Sequence, residues 1–504
     1  MNTFKRKALT TAVLAGLGAA GTAEAVYHDV NGVGQALIYP YYTVNSASGN
    51  SFNTYISVVN TTTRAKVVKV RFREGKTSTE VLDFNLYLSA NDMWTGGLVP
   101  ADATATSPAR LFTADVSCTN PPIPATGVDF RNFLYLTGGD ALPGTGLERT
   151  RDGYFEMIEM GTLTGVSAAN VTHGATGIPA NCLAVQGPVI VLTSVEAPTG
   201  GLMGTGTLIN VTNGQDFTYT ADALAEFRTA AFYTDIANDA PNLSSADPNS
   251  VVVHTGTLTA AGTPAGATVY RSDWIGISGV LAGARAVASV YMHSSVMNEY
   301  VLDSGSRSLS DWVLTQPVKR FFVSSTTAAQ PYTNVLVAGG ACETIGFTFF
   351  NREERGAAAQ GVDFSPAPPA GAPNSLCWES TVLSFRNGAA HIPAATTASA
   401  VLGSPNVTNV TVNTTFQNGW GVLTFAGAGS QSPLGLNSLP SSDRVALGGL
   451  ASVVTAGAQT YVGLPVTGFM VRTFQNTNVP CGTATCQANY GGLFLNGYRT
   501  TITP

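Results

Sequence analysis

Apolar and polar residues alternate with a period of two in short runs along this chain, and that alternation is its clearest local signal. In Val67-Val68-Lys69-Val70-Arg71-Phe72-Arg73, Val68, Val70 and Phe72 share one face while Lys69, Arg71 and Arg73 share the other. Leu82, Phe84, Leu86 and Leu88 repeat the pattern, with Asp83 and Asn85 pointing the opposite way. Both runs have the signature of a strand with one wet face, and Glu74-Gly75-Lys76 supplies a polar turn between them. Runs at 35–39, ended by Pro40, and at 55–60, ended by Asn60-Thr61-Thr62, add two more strands.

The middle of the chain is mixed. Residues 154–160 and 189–195 read as strands, the second a continuous apolar run of the buried kind. Runs at 208–211 and 217–219 flank Asn213-Gly214, the strongest hairpin signal in the sequence. The spacing of Leu224, Phe227 and Ala231, with no Gly or Pro between, predicts a helix over about 221–233. Residues 235–250 read as an exposed Asx-rich loop, and 255–268 as a low-complexity linker. In the last third, Ile345, Phe347 and Phe349 alternate, as do Thr381, Leu383 and Phe385, and further strands are expected at 406–412, 420–425, 466–474 and 493–498. The stretches 67–75 and 345–356 share an outline, an alternating strand ending in a charged turn, which suggests a duplicated unit. The expected fold is mainly β: two antiparallel β-sandwich (Ig-like) domains at 26–200 and 321–504, joined by a mixed region at 201–320.

The N-terminus changes the picture from fold to address. Lys5, Arg6 and Lys7 precede an uncharged, small-residue apolar stretch from Ala8 to Gly21, and Ala23-Glu24-Ala25 fits the small-x-small cleavage rule, so 1–25 reads as a secretory signal peptide. The apolar stretch is shorter than the ~20 residues needed to span a bilayer. Formal net charge is −6 for the whole chain and about −8 without the leader, which argues against nucleic-acid partners. Charged residues make up only 11% of the chain, so polarity rests on Thr, Ser, Asn and Gly, as in exported β proteins. In an exported chain the six cysteines are expected to pair. Of the fifteen connectivities available, proximity favours Cys118–Cys182, Cys342–Cys377 and Cys481–Cys486; no CxxC pair or adjacent His points to a metal.

Candidate chemistry is sparse. Gly276-Ile277-Ser278-Gly279-Val280 lacks the last glycine of a hydrolase nucleophile elbow. The glycine-rich 200–206 stretch has neither dinucleotide nor P-loop spacing and reads as a turn between strands. His28, His173, His254, His293 and His391 are scattered singly. Asp235, Asn238, Asp239, Asn242 and Asp247 offer oxygens for calcium within one loop, but off the helix-loop-helix spacing, so a solvated loop is expected and no cofactor is assigned. Glycoside hydrolysis needs only two acids across a groove. Glu156/Glu159, Glu299/Asp303 and Glu353/Glu354 are the available pairs, with Tyr39, Tyr41, Tyr42 and Trp94 as aromatics that could stack on sugar. No catalytic residue is assigned.

Several phrases resemble a family of uncharacterised exported proteins of proteobacteria. They are Leu37-Ile38-Tyr39-Pro40-Tyr41-Tyr42-Thr43, Val58-Val59-Asn60-Thr61, Val70-Arg71-Phe72-Arg73-Glu74-Gly75 and Asp83-Phe84-Asn85-Leu86-Tyr87-Leu88-Ser89, then Met297-Asn298-Glu299-Tyr300, Asp311-Trp312-Val313 and Asn489-Tyr490-Gly491-Gly492-Leu493-Phe494. The resemblance implies an exported, cell-surface protein and carries no catalytic residue. The expected role is that of a secreted or surface-exposed structural or adhesive protein, at the cell surface, outside the cell or in the periplasm. Its expected partners are copies of itself, other surface proteins or polysaccharide. The rival readings are an extracellular carbohydrate-binding protein or glycoside hydrolase, and an outer-membrane β-barrel.

Overall fold

Strand alternation dictates a layered β architecture. The computed structural model describes residues 25–45, 51–187, 192, 194–255, 267–274, 281–354, 356–358, 375–393, 398–412, 416–425, 438–440, 443–448, 454–456 and 460–503. Residues 1–24 of the leader expected at 1–25, most of the linker expected at 255–268, the near-motif at 276–279 and most of the strand expected at 189–195 lie outside the described residues. The chain is mainly β, with several antiparallel sheets. Among the described residues each sheet is an open path of strands, and no helix is long and apolar enough to cross a membrane.

An eight-stranded sheet takes the order Tyr27–His28, Asp222–Ala225, Ala36–Thr43, Asp152–Leu163, Lys66–Glu74, Glu80–Leu88 and Thr119–Asn120, with Val195–Glu196 paired to the Asp152–Leu163 strand. A six-stranded sheet faces it: Gln215–Thr220, Leu202–Asn210, Asn53–Asn60, Met93–Pro100, Ala109–Phe112 and Val128–Asp129. The Tyr39 hydroxyl crosses between them to donate to the Ser57 carbonyl at 2.8 Å, and Phe84 meets Trp94 at 5.8 Å. Gly204 makes that crossing possible, because a Cβ there would collide with the Tyr39 hydroxyl.

Two five-stranded sheets hold most of the second half. One runs Val407–Thr411, Ser380–Arg386, Leu309–Thr315, Thr467–Cys481 and Ala484–Leu495; the other runs Gly356–Ala358, Gly346–Asn351, Asn418–Thr424, Ser295–Val301 and Gly497–Arg499. Trp312 and Phe347 fill the space between them at 5.9 Å, and Tyr300 stacks on Phe385 at 5.3 Å. The inner strands of the first of these sheets are buried on both faces. Trp312, Leu314, Leu383, Phe385 and Met470 point into the core of the second half. Val313, Val382, Phe469 and Val471 point the other way, into the same cluster as Tyr39, Val70, Trp94 and Phe155. One core therefore draws on both the 26–200 and the 321–504 stretches. Lys66–Glu74 is buried along its whole length, whereas Gly346–Asn351 alternates, so the two similar charged-turn units sit in different surroundings.

The helix expected at 221–233 does not form. Asp222–Ala225 is a strand registered against Ala36–Ile38, and Glu226 follows in the left-handed region at φ 49°. Leu224 and Phe227 are buried as the helical spacing requires, but sheet pairing with Ala36–Thr43 satisfies the backbone there instead. The longer of the two α-helices among the described residues is Leu281–Tyr291 (α2); the other is Gly165–Val171 (α1). α2 is rich in Ala and Gly, and Gly283 lets it lie directly on the Ser244 and Ala246 carbonyls, where a Cβ would not fit.

Candidate functional site

The face of Lys66–Glu74 expected to be wet is instead a buried ionic layer. Arg71 and Arg73 are fully covered, at 0% and 1% exposure. Arg73 donates to Glu156 Oε1 from Nη2 at 2.8 Å and from Nε at 3.1 Å, and Arg71 Nη1 reaches the same oxygen at 3.4 Å. Arg71 also pairs with Glu80, while Lys69 pairs with Asp83 at 2.5 Å and Lys66 with Glu159 at 2.8 Å. Glu74, which like Lys66 lies on the opposite face of the strand with Val68, Val70 and Phe72, pairs with Arg149 at 2.8 Å. The cover is the Asx-rich loop: Arg71 donates to the Pro241 carbonyl at 2.6 Å and to the Asn238 carbonyl at 3.3 Å. Buried charges persist only when paired and hydrogen-bonded, and here the loop backbone adds two acceptors to Arg71.

This arrangement places most of the residues considered for catalysis. Glu156 and Glu159 are consumed by their cations, Glu159 also accepting from the Thr199 and Gly200 amides at 3.1 and 2.8 Å. Glu299 pairs with Arg472 at 3.1 Å, and Asp303 accepts from the Ser306 hydroxyl and amide at 2.8 Å, which holds its carboxyl below the usual range. Glu353 pairs with Arg352 at 2.9 Å in an exposed turn that also holds Glu354. Tyr39, Tyr41, Tyr42 and Trp94 are all fully buried core residues and present no stacking surface. In the Asx-rich loop, Asp235 accepts from Ala237, Asn242 caps Ser244, and Asp247 accepts from Thr229. No group of three or more His, Cys, Asp or Glu suited to a metal occurs among the described residues. Gly200 and Gly201 take left-handed φ values of 72° and 81° in the turn that enters Leu202–Asn210.

His28 and His293, scattered in the sequence, line one cavity together with Asp222. His173 bonds Ser89 at 2.8 Å, and His391 lies 3.1 Å from the Ser308 carbonyl. The cysteines form Cys118–Cys182, Cys342–Cys377 and Cys481–Cys486, the pairs that proximity favours.

The surface feature that alternation left unnoticed is a long hairpin. Thr467–Cys481 pairs with Ala484–Leu495 from Phe469↔Leu495 out to Cys481↔Ala484, and the Cys481–Cys486 bond clamps its tip. The inner residues of the first strand are buried, but from Gln475 outward both strands are half-buried or exposed. Gly491 packs on Phe217 and Asn489 donates to the Asn213 carbonyl, so the neighbouring hairpin props the arm partway along. At its base runs an aromatic strip. Phe350, Trp420 and Glu299 are cross-strand neighbours, Phe350 and Trp420 stack at 4.7 Å, and Arg472 bridges from Glu299 to cover Phe494 at 4.2 Å. Trp420, Tyr490, Phe494 and Leu495 are all exposed. A strand edge with exposed aromatics is suited to contact with another surface. No protein-family model, curated protein or solved structure matches this chain.

Proposed function

We propose that this is an exported structural or adhesive protein of the cell surface, built on β-sandwich scaffolds, whose contact element is the disulfide-clamped hairpin. The partner is a second copy or another surface protein, engaged along the exposed edge of Ala484–Leu495 by strand addition. The observation that carries this reading is the hairpin itself: a strand of the buried sheet runs on outward, exposes both of its faces and is stapled at its end. The three disulfides fit an oxidising compartment, in keeping with the leader at 1–25. Sedimentation and electron microscopy of the full chain are expected to show assemblies that disappear when 477–486 is replaced by a two-residue Asn-Gly turn. A native protein that stays monomeric and leaves the cell surface would overturn the reading.

A second reading, polysaccharide binding, is favoured by the exposed Trp420 ring stacked on Phe350. It predicts that Trp420→Ala abolishes retention on a polysaccharide column and leaves assembly intact.

A further inference from the structure

We propose that the cavity bounded by Asp222, Tyr291, His293 and Tyr498 is a binding site for a small uncharged aromatic molecule carrying a hydroxyl or neutral amine. The cavity holds about 420 Å³, within the range of small-molecule sites. It lies where the edge of the eight-stranded sheet meets the end of α2 and the base of the hairpin. Val252, Val290, Val466 and Leu495 give it an apolar wall, and its polar groups gather around Asp222. His28 Nε2 stands 3.5 Å from Asp222 Oδ1, and the Thr467 hydroxyl donates to Oδ2. The His293 ring stacks on Tyr498 at 4.2 Å and lies 3.3 Å from the Thr500 hydroxyl, while Tyr498 donates to the Gly468 carbonyl at 3.2 Å. The walls are thus fixed by their own bonds.

Two observations select the ligand. No Lys or Arg lines the cavity, and its one cationic candidate, His28, whose pKa rises because the lowering effect of burial is outweighed by Asp222, is already paired with that carboxylate, so an anion would find no free cation there. Burial, then the neighbouring His28, pulls the His293 imidazole down to about 3, which leaves that ring neutral. Second, Tyr291 is buried to 3% exposure, and its hydroxyl has no hydrogen-bond partner among the described residues. An unpaired buried hydroxyl is costly, and a ligand hydroxyl or amine placed between it and Asp222 would satisfy it. The aromatic body would lie against the valines and the His293–Tyr498 stack.

The proposal rests on the cavity alone and is independent of the hairpin's role. The test uses the full chain and 2-naphthol, followed by its own fluorescence. Saturable one-to-one binding is expected, with naphthalene-2-sulfonate at least about tenfold weaker. Tyr291→Phe is expected to weaken 2-naphthol about tenfold without lowering Tm, since it removes a hydroxyl that has no partner. On the unmutated protein, 2-naphthol is expected to slow diethylpyrocarbonate modification of His28 relative to His173, read by mass spectrometry. Absence of saturable binding, equal affinity for the sulfonate, full binding by Tyr291→Phe, or unchanged relative labelling of His28 would each overturn the site.

Discussion

Asp152 is buried to 1% exposure and held by the hydroxyls of Ser404 and Tyr41 and the amide of Asn406. Burial raises its pKa to about 6, with the Ser404 bond opposing the shift. A carboxyl raised on folding binds its proton more tightly in the native state, so its contribution is full at low pH and is lost as pH rises through about 6. Asp152→Asn should therefore flatten the parent's fall in stability between pH 4 and 7, a difference of about 3 kcal/mol measured by urea denaturation. Glu156 is the shared counter-charge of Arg71 and Arg73. Glu156→Gln leaves two buried guanidinium groups under-compensated and is expected to cost about 3–5 kcal/mol at neutral pH. A loss below about 1 kcal/mol in the same titration would mean the layer is solvated.

At the scale of elements, the disulfides divide the labour. Cys118–Cys182 spans 64 residues and ties the Thr119–Asn120 edge strand to a buried cluster around Val67, Tyr87 and Val171. Cys481–Cys486 spans 5. On the loop-closure account, removing the first by paired Ala substitution should cost about 4 kcal/mol of global stability, and removing the second about 2 at most. Hydrogen exchange should show the second loss confined to the hairpin beyond Gln475. Alternation made the strands legible, including the Lys66–Glu74 and Glu80–Leu88 pair and the hairpin around Asn213-Gly214. It could not say what lies over a polar face: Lys69, Arg71 and Arg73 read as solvated, whereas the loop carbonyls that take up Arg71 are 167 and 170 residues away in sequence. Leu224 and Phe227 read as helical because a three-residue spacing is also met by a strand followed by a left-handed turn. α2 is hard to read in the sequence because small residues, Gly283, Ala284, Ala286, Ala288 and Ser289, make up most of its buried side, with Val287 and Tyr291 the large ones. The cavity was invisible for the same reason as the ionic layer: His28, Asp222 and His293 meet only through tertiary pairing.

For the whole molecule, the shared core has a thermodynamic consequence. Because Val313, Val382, Phe469 and Val471 complete the cluster that also holds Tyr39, Val70 and Trp94, neither half can bury its apolar surface without the other. Calorimetry should record one cooperative transition, with the calorimetric and van't Hoff enthalpies in agreement. Two separated transitions, or a stable folded fragment ending near residue 300, would show that the halves are independent.

The Thr467–Cys481 strand begins inside that core and ends at the clamped tip. A tug on the tip would run along the strand axis into the seven register pairs it makes with Leu309–Thr315. Those pairs would then bear the load together, in shear, rather than parting one after another as in an unzipping hairpin. The tip clamp keeps the two arm strands from peeling apart before the load arrives. An anchorage of this kind resists flow and drag far better than its equilibrium stability alone would suggest.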